Sequence, residues 1–430
     1  MSFNYKFFSE VFLGLLILSF SSAFAGADIL EKIEIVGNTK TDSFLIEKMT
    51  DLEIGQELTN ALIENAKANV SSSGVFESVN VENKPGSDMG HRILVFYVKE
   101  KITWFIVPAF SFSQTDLAFG LVAGETNLFG LMKKLAIFSD YSSSAKRLAG
   151  GYRDNGMFGT HITLSVDGIL RTDDMAEFTD RKVVRRVRVT EYGGTFLPGY
   201  RLHDNVVASL GVYFRHVQQR LRFSEPAQDM REPVFKKGKD IAMVAEIEFK
   251  NTRTHNGLSD GTEIKLSSQF SDERYFSDFD YNKQLIYITH GINFWNEQAN
   301  STTRGSIQLG KNLPYYIELM AGGTNLRGFL SRQFRGDTKY AWGQEFMLPI
   351  YDFSRFILRT NLFWDSTIIY FKKDNEGNGD GFSRQKWHNG LGGGFRIYLK
   401  GVAVPLFGYD MAWGIEDRAY GYYLSVGAIF

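Results

Sequence analysis

The chain has 430 residues, and its 48 lysines and arginines nearly balance its 49 aspartates and glutamates. That balance favours neither nucleic acid nor an anionic membrane surface as the main partner. The absence of cysteine excludes disulfides, thiol chemistry and cysteine-ligated metal sites. The seven histidines show no metal-ligand spacing, so we expect no cofactor and no enzymatic activity. A Ser, His and acid on neighbouring strands is an alternative that the sequence leaves open.

The N-terminus has the pattern of a secretory signal. Lys6 precedes an apolar run from Val11 to Phe20, and Ala23-Phe24-Ala25 supplies a small-residue cleavage site. We expect residues 1–25 to be removed before Gly26 and the mature protein to be exported. Beyond this segment no apolar run reaches the roughly 18 residues that a membrane helix needs. The sequence therefore argues against a helical membrane protein.

Residues 26–100 predict a small α+β domain. A first strand contains Ile33 and Ile35, Thr41 and Thr59 can each cap a helix, and Gly74 can end the second helix. Two more strands follow, Phe76 to Lys84 and Arg92 to Lys99. A domain of this kind leaves a sheet edge to which an extended peptide can add as a strand.

Residues 101–430 predict an all-β transmembrane barrel of about 16 antiparallel strands, from Ile102 to Phe112 at the start to Gly421 to Phe430 at the end. Apolar and polar residues alternate in short runs separated by turn residues, as expected where every second side chain faces lipid. A soluble β-sandwich is the alternative. On the last strand one face is predicted to meet lipid, and it consists of Tyr422, Leu424, Val426, Ala428 and Phe430.

The predicted connections alternate between short and long. Asp154 to Gly159 and Leu197 to Tyr200 are expected to be short periplasmic turns. Arg171 to Lys182, Leu221 to Lys239 and Phe371 to Lys386 are expected to be long extracellular loops.

One long polar segment, at about residues 313–340, contains Gly322-Gly323-Thr324-Asn325-Leu326-Arg327-Gly328-Phe329. An arginine held between glycines inside such a loop needs a carboxylate partner, and strand parity points Glu345 and Asp365 inward. Gly328 would let the backbone approach the wall, and Phe329 would wedge against it. The alternative is that Arg327 is a solvated loop residue.

The arginine-glycine-aromatic loop resembles that of the outer-membrane insertase and translocator superfamily, which includes the BamA, TamA and two-partner-secretion transporter types. Residues 26–100, with Ser73-Gly74-Val75-Phe76 at the exit of the second helix, resemble a single POTRA domain. The loop falls between the eleventh and twelfth predicted strands, where the superfamily folds a loop into the lumen. The residues before Arg327 and after Asp365 differ from the usual small aliphatic and Ala-Gly residues, but no charged partner is lost.

This resemblance implies a bacterial outer-membrane protein with its POTRA domain in the periplasm. The implied partners are unfolded outer-membrane or secreted polypeptides, a periplasmic chaperone or accessory protein, and outer-membrane lipid, with no nucleic acid. The implied mechanism is capture by the POTRA domain and insertion at a seam between the first and last strands. Phe430 would end a C-terminal assembly signal, or be an ordinary girdle aromatic. Secretion through the lumen and a passive pore are the alternatives, although secretion transporters normally carry two POTRA domains.

The run Trp387 to Arg396 is unusually rich in glycine. A phosphate-binding loop is excluded because no helix follows it. We expect instead a thin or kinked strand that packs against the inserted loop.

Overall fold

The computed structural model describes residues 28–225, 235–372, 386–400 and 405–427. The predicted signal segment, Ala428 and Phe430 lie outside these residues, as does most of the predicted loop from Phe371 to Lys386. The described residues divide into two compact units: 28–102 with 129–131, and the described part of 103–427 without 129–131. No helix of the described residues is both long and apolar enough to cross a membrane.

The first unit is an α+β domain with a three-stranded sheet. Its elements are β1 (Ile29–Val36), α1 (Ser43–Met49), α2 (Asn60–Ser72), β2 (Phe76–Pro85) and β3 (His91–Glu100). The strand order is β1–β3–β2, with β1 parallel and β2 antiparallel to β3. Leu30, Ile46, Val70, Leu94 and Phe96 are fully buried and form its core. The predicted order of strand, two helices and two strands is confirmed.

Of the two predicted helix N-caps, one is confirmed and the other is wrong. Thr59 caps α2, because its Oγ1 accepts the Leu62 N–H at 3.2 Å, as expected. The prediction of Thr41 as the cap of α1 was wrong: Asp42 caps that helix through the Phe44 N–H at 2.8 Å. The Thr41 N–H instead donates to Glu100 at 2.6 Å, which removes Thr41 from the capping position.

The second unit is a closed antiparallel barrel. Its sixteen wall strands are β4 (Trp104–Ser113), β5 (Leu117–Leu128), β6 (Lys133–Ser142), β7 (Ala145–Asp154), β8 (Ile162–Thr179), β9 (Lys182–His203), β10 (Val206–Ser224), β11 (Gly238–Lys250), β13 (Leu258–Ser271), β14 (Tyr281–Phe294), β15 (Ala299–Lys311), β18 (Thr338–Asp352), β19 (Phe356–Tyr370), β20 (His388–Leu399), β21 (Pro405–Gly414) and β22 (Ala419–Val426). Short strands lie between them: β12 (Arg253–His255), β16 (Leu319–Ala321) and β17 (Phe334–Gly336). The fold predicted from alternation is confirmed.

Two predicted connections were wrong, and both lie along β8 and β9. Residues 171–179 continue β8, and the turn to β9 is only Asp180-Arg181, both with positive φ (47° and 63°). Two-residue hairpin turns need such φ values, but they usually contain Asn or Gly, so this turn could not be predicted from its residue types. The predicted turn at Leu197 to Tyr200 lies inside β9. The strands β8 and β9, of 18 and 22 residues, are therefore longer than predicted.

We define the lower rim of the barrel as the end where β4 begins, and the upper rim as the opposite end. Because the strands alternate in direction, the β15–β18 connection lies at the upper rim and the β11–β13 connection at the lower rim. The first of these connections is the loop that contains Arg327.

Candidate functional site: an inserted loop fixed to the barrel wall

The β15–β18 loop folds against lumen-facing side chains of the wall. It begins with a 3-10 turn, Tyr315–Ile317, and the strands β16 and β17 pair with each other to close its base. Leu326 and Phe329 near its tip are fully buried. A polar loop that buries apolar residues in this way is held in the lumen by packing as well as by charge.

Arg327 forms a two-pronged ion pair with Asp365 on β19. Its Nε lies 2.7 Å from Oδ2 and its Nη2 2.9 Å from Oδ1, and the Arg327 backbone N–H also donates to Oδ2 at 3.2 Å. Arg327 is only 6 % exposed and Asp365 8 %. This geometry uses the planar fork of arginine, which lysine lacks.

Two further carboxylates contact the same guanidinium. Glu345 on β18 accepts from Nη2 at 3.3 Å, and Asp410 on β21 accepts from Nη1 at 3.2 Å. Asp410 did not emerge from the sequence, because nothing in its strand distinguishes it from any other lumen charge. The structure therefore places Arg327 among three carboxylates on three strands, not two.

The surrounding cations balance these carboxylates. Arg396 makes two bonds to Asp410, at 2.8 and 2.6 Å, and Arg304 contacts Glu345 at 2.7 Å. With Arg327, three arginines face three acids. Such a network satisfies buried charges that would be costly if any one member were removed.

Uncharged groups complete the network. Asn361, fully buried, donates to Glu345 at 3.1 Å and to Asp410 at 3.0 Å. The Arg327 guanidinium also lies over the Phe363 ring, with its Cζ 3.3 Å from the ring centroid. Cation–π contact of this kind adds to the attraction where water is excluded.

Glycines allow the loop backbone to touch the wall. Gly328 has a φ of 100°, and a Cβ there would lie 2.5 Å from the Gly414 backbone nitrogen. A Cβ on Gly390 would overlap the carbonyl oxygen of Arg327. The glycine-rich strand β20 therefore packs against the loop, as the sequence indicated.

The tip of the loop also binds the last strand. The Tyr423 hydroxyl accepts the Gly328 N–H at 3.0 Å and donates to the Phe329 carbonyl at 3.0 Å. The Phe329 ring lies 5.3 Å from Phe334 and 5.8 Å from His388, edge to face. Tyr423 alternates with the predicted lipid-facing residues of the last strand, and its contact with the loop did not emerge from the sequence.

The base of the loop is attached at a second place. Tyr316 donates its hydroxyl to the buried Asp240 of β11, which also accepts from Tyr281 at 2.8 Å. Arg335 pairs with Glu318 across the base of the loop at 3.1 Å. The loop is thus fixed at its base as well as at its tip.

A hairpin at the lower rim also reaches across the barrel. Asn256 and Gly257, with φ of 46° and 80°, form the tip between β12 and β13. Arg359 on β19 donates to the Asn256 carbonyl at 2.6 Å, and a Cβ on Gly257 would overlap the Tyr398 ring of β20. The tip therefore contacts a wall several strands away from its own.

A cavity of about 470 Å³ lies between this hairpin and the arginine network. Thr252, Thr254 and Ser259 line its hairpin side, and Arg304 and Glu345 line its other side. Polar and charged side chains therefore line much of the lumen between the two inserted segments.

The barrel closes through β22 and β4. Tyr423, Leu424, Ser425 and Val426 pair with Ser113, Phe112, Ser111 and Phe110, while β8 and β9 pair along nearly their whole lengths. Tyr422 is 39 % exposed on the outer face, and Leu424 and Val426 are partly buried. Within the described residues this is the shortest ladder between neighbouring wall strands.

The fold and the site together define a POTRA domain followed by an outer-membrane barrel with an inserted arginine loop. Residues 29–101 match the POTRA family, described as a surface antigen variable number repeat, and residues 127–430 match the Omp85 superfamily domain. The chain belongs to the Omp85 superfamily.

Several solved structures share this fold. BamA from Haemophilus ducreyi lacking POTRA domains 1–3 aligns with a TM-score of 0.65 and 15 % identity over 94 % of this chain and 84 % of that one. CdiB from Escherichia coli aligns with a TM-score of 0.64 and 13 % identity, covering 95 % and 79 %. CdiB from Acinetobacter baumannii aligns with 0.63 and 12 %, covering 94 % and 74 %. No curated protein matches the sequence.

Proposed function

We propose that this protein inserts unfolded client polypeptides into the outer membrane, receiving them at the POTRA domain and releasing them through the β22–β4 seam. The observation that carries the proposal is that the described residues of β22 and β4 form four residue pairs, the shortest ladder between described neighbouring wall strands. Unpaired backbone groups are costly in lipid, so a wall that opens there presents an edge on which a client strand can pair.

The inserted loop supports this route over the lumen. Arg327, Glu345 and Asp365 act in the proposal as a lock that keeps the loop in place, with Gly328 and Phe329 fitting it to the wall. Because Tyr423 bonds the same loop tip, the lock also holds the last strand. A client that leaves through the seam does not need to displace the loop.

The POTRA domain supplies the proposed capture surface. In the described part of the chain, β2 pairs with β3 and leaves its other edge open. An extended client, or a periplasmic chaperone or accessory protein, can add to that edge by main-chain hydrogen bonds. Ala428 and Phe430 complete the C-terminal assembly signal in this proposal.

The test is a reversible tether across the seam. Ser111 and Ser425 lie directly opposite each other, and the chain has no cysteine, so S111C/S425C can form one defined disulfide. S306C/A341C, opposite each other on β15 and β18, is the matched control. The readout is insertion of a urea-unfolded outer-membrane barrel polypeptide into vesicles that contain the full chain.

Oxidation is expected to stop insertion by the seam variant, reduction to restore it, and the control to be active in both states. Equal insertion by the oxidised seam and control variants would contradict the seam mechanism.

Secretion of a polypeptide through the lumen is the second candidate, and the 470 Å³ polar cavity favours it. Secretion through the lumen predicts that the seam disulfide leaves transport unchanged. It also predicts that fixing the loop tip to the wall stops transport. A passive pore would keep full activity after removal of residues 28–100.

A further inference from the structure

We propose that the outer face of β7, β8, β9 and β10 near the upper rim binds a membrane lipid with an anionic phosphorylated headgroup. The inference rests on successive rows of outward side chains, which change from apolar to hydroxyl-bearing to cationic within a few residues. It goes beyond the proposed function, because it concerns the lipid and not the client.

The inner and outer faces of these strands are unambiguous. Val187, Val189 and Val217 are fully buried with the inserted loop, so their positions face the lumen. The alternate positions face outward, where Tyr192 is 48 % and Phe196 52 % exposed. Even-numbered residues of β9 from Arg186 to Phe196 therefore lie on the surface that meets lipid.

A shallow groove of about 340 Å³ lies on this surface. Leu148, Leu170 and Tyr192 form one row across β7, β8 and β9, and each is about half exposed. Below them Gly150, Gly168 and Gly194 form the next row. The leucines and the tyrosine line the groove, and the glycine row below continues it as an apolar depression without side chains.

Close packing does not explain two of these glycines. A Cβ on Gly150 would meet its nearest atom at 3.6 Å, and one on Gly168 at 3.8 Å, both ordinary contacts. Larger side chains would fit at both positions, and they would fill the depression. The open space is therefore a property of the outer surface, not a requirement of the wall.

Polar groups lie on the side of the groove toward the upper rim. Lys146, Thr172 and Thr190 form the next row, and the two threonine hydroxyls are 3.4 Å apart. The Lys146 ammonium lies 5.0 Å from the Tyr141 ring centroid. This row supplies hydrogen-bond donors at the level of the wall where the lipid headgroup would begin.

The following rows are cationic. Arg188 and Arg220 are directly opposite each other on β9 and β10, and Arg186 lies in the next row. The Asp174 carboxylate makes a bidentate ion pair with Arg188, at 2.7 and 2.6 Å, so Arg188 already has an anionic partner. Arg186 and Arg220 are exposed.

Arg188 and Arg220 are like charges placed directly opposite each other, which destabilises a sheet, and the Asp174 carboxylate pairs with Arg188. A phosphate beside the exposed Arg186 and Arg220 would supply a second anion, and its acyl chain would follow the groove below. Arginine also suits phosphate because its planar fork can bind two oxygens. The vertical order of acyl groove, hydroxyls and arginines thus matches the order of parts in a phosphorylated lipid.

The test measures lipid binding by the purified full chain, using native mass spectrometry in a neutral detergent. The probes are diphosphoryl lipid A, phosphatidylglycerol, phosphatidylcholine and inorganic phosphate. The variants are R186Q/R220Q, which removes two headgroup cations, and Gly168→Val, which fills the groove. The control is K134Q/R153Q, which removes the same charge from an exposed cross-strand pair at the lower rim. Heat-modifiable gel mobility verifies that every variant is folded.

Lipid A or phosphatidylglycerol is expected to bind more tightly than phosphatidylcholine, and the two probes show which headgroup is preferred. R186Q/R220Q should weaken that binding roughly 25-fold, since each basic residue near an anionic lipid surface contributes about fivefold. Gly168→Val should weaken it as well, and the control should not.

Unchanged lipid affinity in R186Q/R220Q would overturn the proposal. Equal binding of phosphatidylcholine would also overturn it. Displacement of the lipid by inorganic phosphate at equal concentration would show a phosphate site without lipid recognition, and would overturn it too.

Discussion

The Tyr423 hydroxyl lies 3.0 Å from the Gly328 nitrogen, which joins the last barrel strand to the tip of the inserted loop. The same hydroxyl donates to the Phe329 carbonyl. One side chain therefore couples the position of the loop to the strand that closes the barrel.

Tyr423→Phe should loosen the loop tip without unfolding the barrel. The Gly328 N–H would lose its acceptor, at a cost of about 1–3 kcal/mol for a buried unsatisfied group. Protease cleavage within the loop should become faster than in the wild type. Tyr422→Phe, the outward neighbour, is the control, and equal cleavage of both variants would argue against the coupling.

Arg327→Ala should release the loop, since it leaves three carboxylates around an empty position. Breaking a buried ion pair costs about 3–5 kcal/mol where water is excluded. Lysine should rescue poorly because it lacks the two-pronged fork.

A double-mutant cycle on Arg327 and Asp365, scored by loop cleavage and by activity, should give a coupling energy of about 0.5–3 kcal/mol. Strictly additive effects would mean that the two side chains do not act as a pair.

Gly390→Ala should displace the loop from the wall, because the added methyl would overlap the Arg327 carbonyl oxygen. The expected result is faster loop cleavage with all charged residues unchanged. Gly305→Ala is the control, since its nearest neighbour is the Ile288 side chain at 3.1 Å. If G390A protects the loop as well as the wild type does, the close approach is not required.

Arg359→Met should free the hairpin at the lower rim by removing the donor to the Asn256 carbonyl. Ion conductance through the barrel, measured in a planar bilayer, should rise because one of two inserted segments becomes mobile. Arg355→Met, an exposed arginine near the same rim, is the control. Identical conductance in the two variants would show that the hairpin does not restrict the lumen.

Glu100 should make the stability of the POTRA domain depend on pH. Burial raises the pKa of Glu100, but hydrogen bonds from Thr39, Thr41 and Lys40 outweigh it and lower that pKa from 4.5 to about 2. A depressed carboxyl pKa stabilises the folded state fully above about 4.5, and this contribution is lost as the pH falls toward about 2.

The measurement is hydrogen exchange of residues 39–41 in the full chain, compared between the wild type and Glu100→Gln. E100Q should exchange faster at pH 6, and the difference should shrink as the pH approaches 2. Asp88→Asn, at an exposed position of the same domain, should match the wild type at both values. A difference that does not depend on pH would show that the charge of Glu100 is not responsible.

Much of the architecture was already determined by the sequence. Alternation of apolar and polar residues marks strands because successive side chains point to opposite faces, so the barrel and its strand number could be predicted. A desolvated guanidinium needs carboxylate partners, and this requirement predicted Glu345 and Asp365 as the partners of Arg327.

Only the tertiary structure decided which distant strands meet. Asp410 and Tyr423 contact the loop because the barrel closes on itself, and closure brings together residues that no local pattern links. The contact between Asn256 and Arg359 also depends on the tertiary structure. Strand register in the same way determines the positions of Arg186 and Arg220 on the outer face. Strand periodicity assigns each side chain to a face, whereas register and closure determine its neighbours.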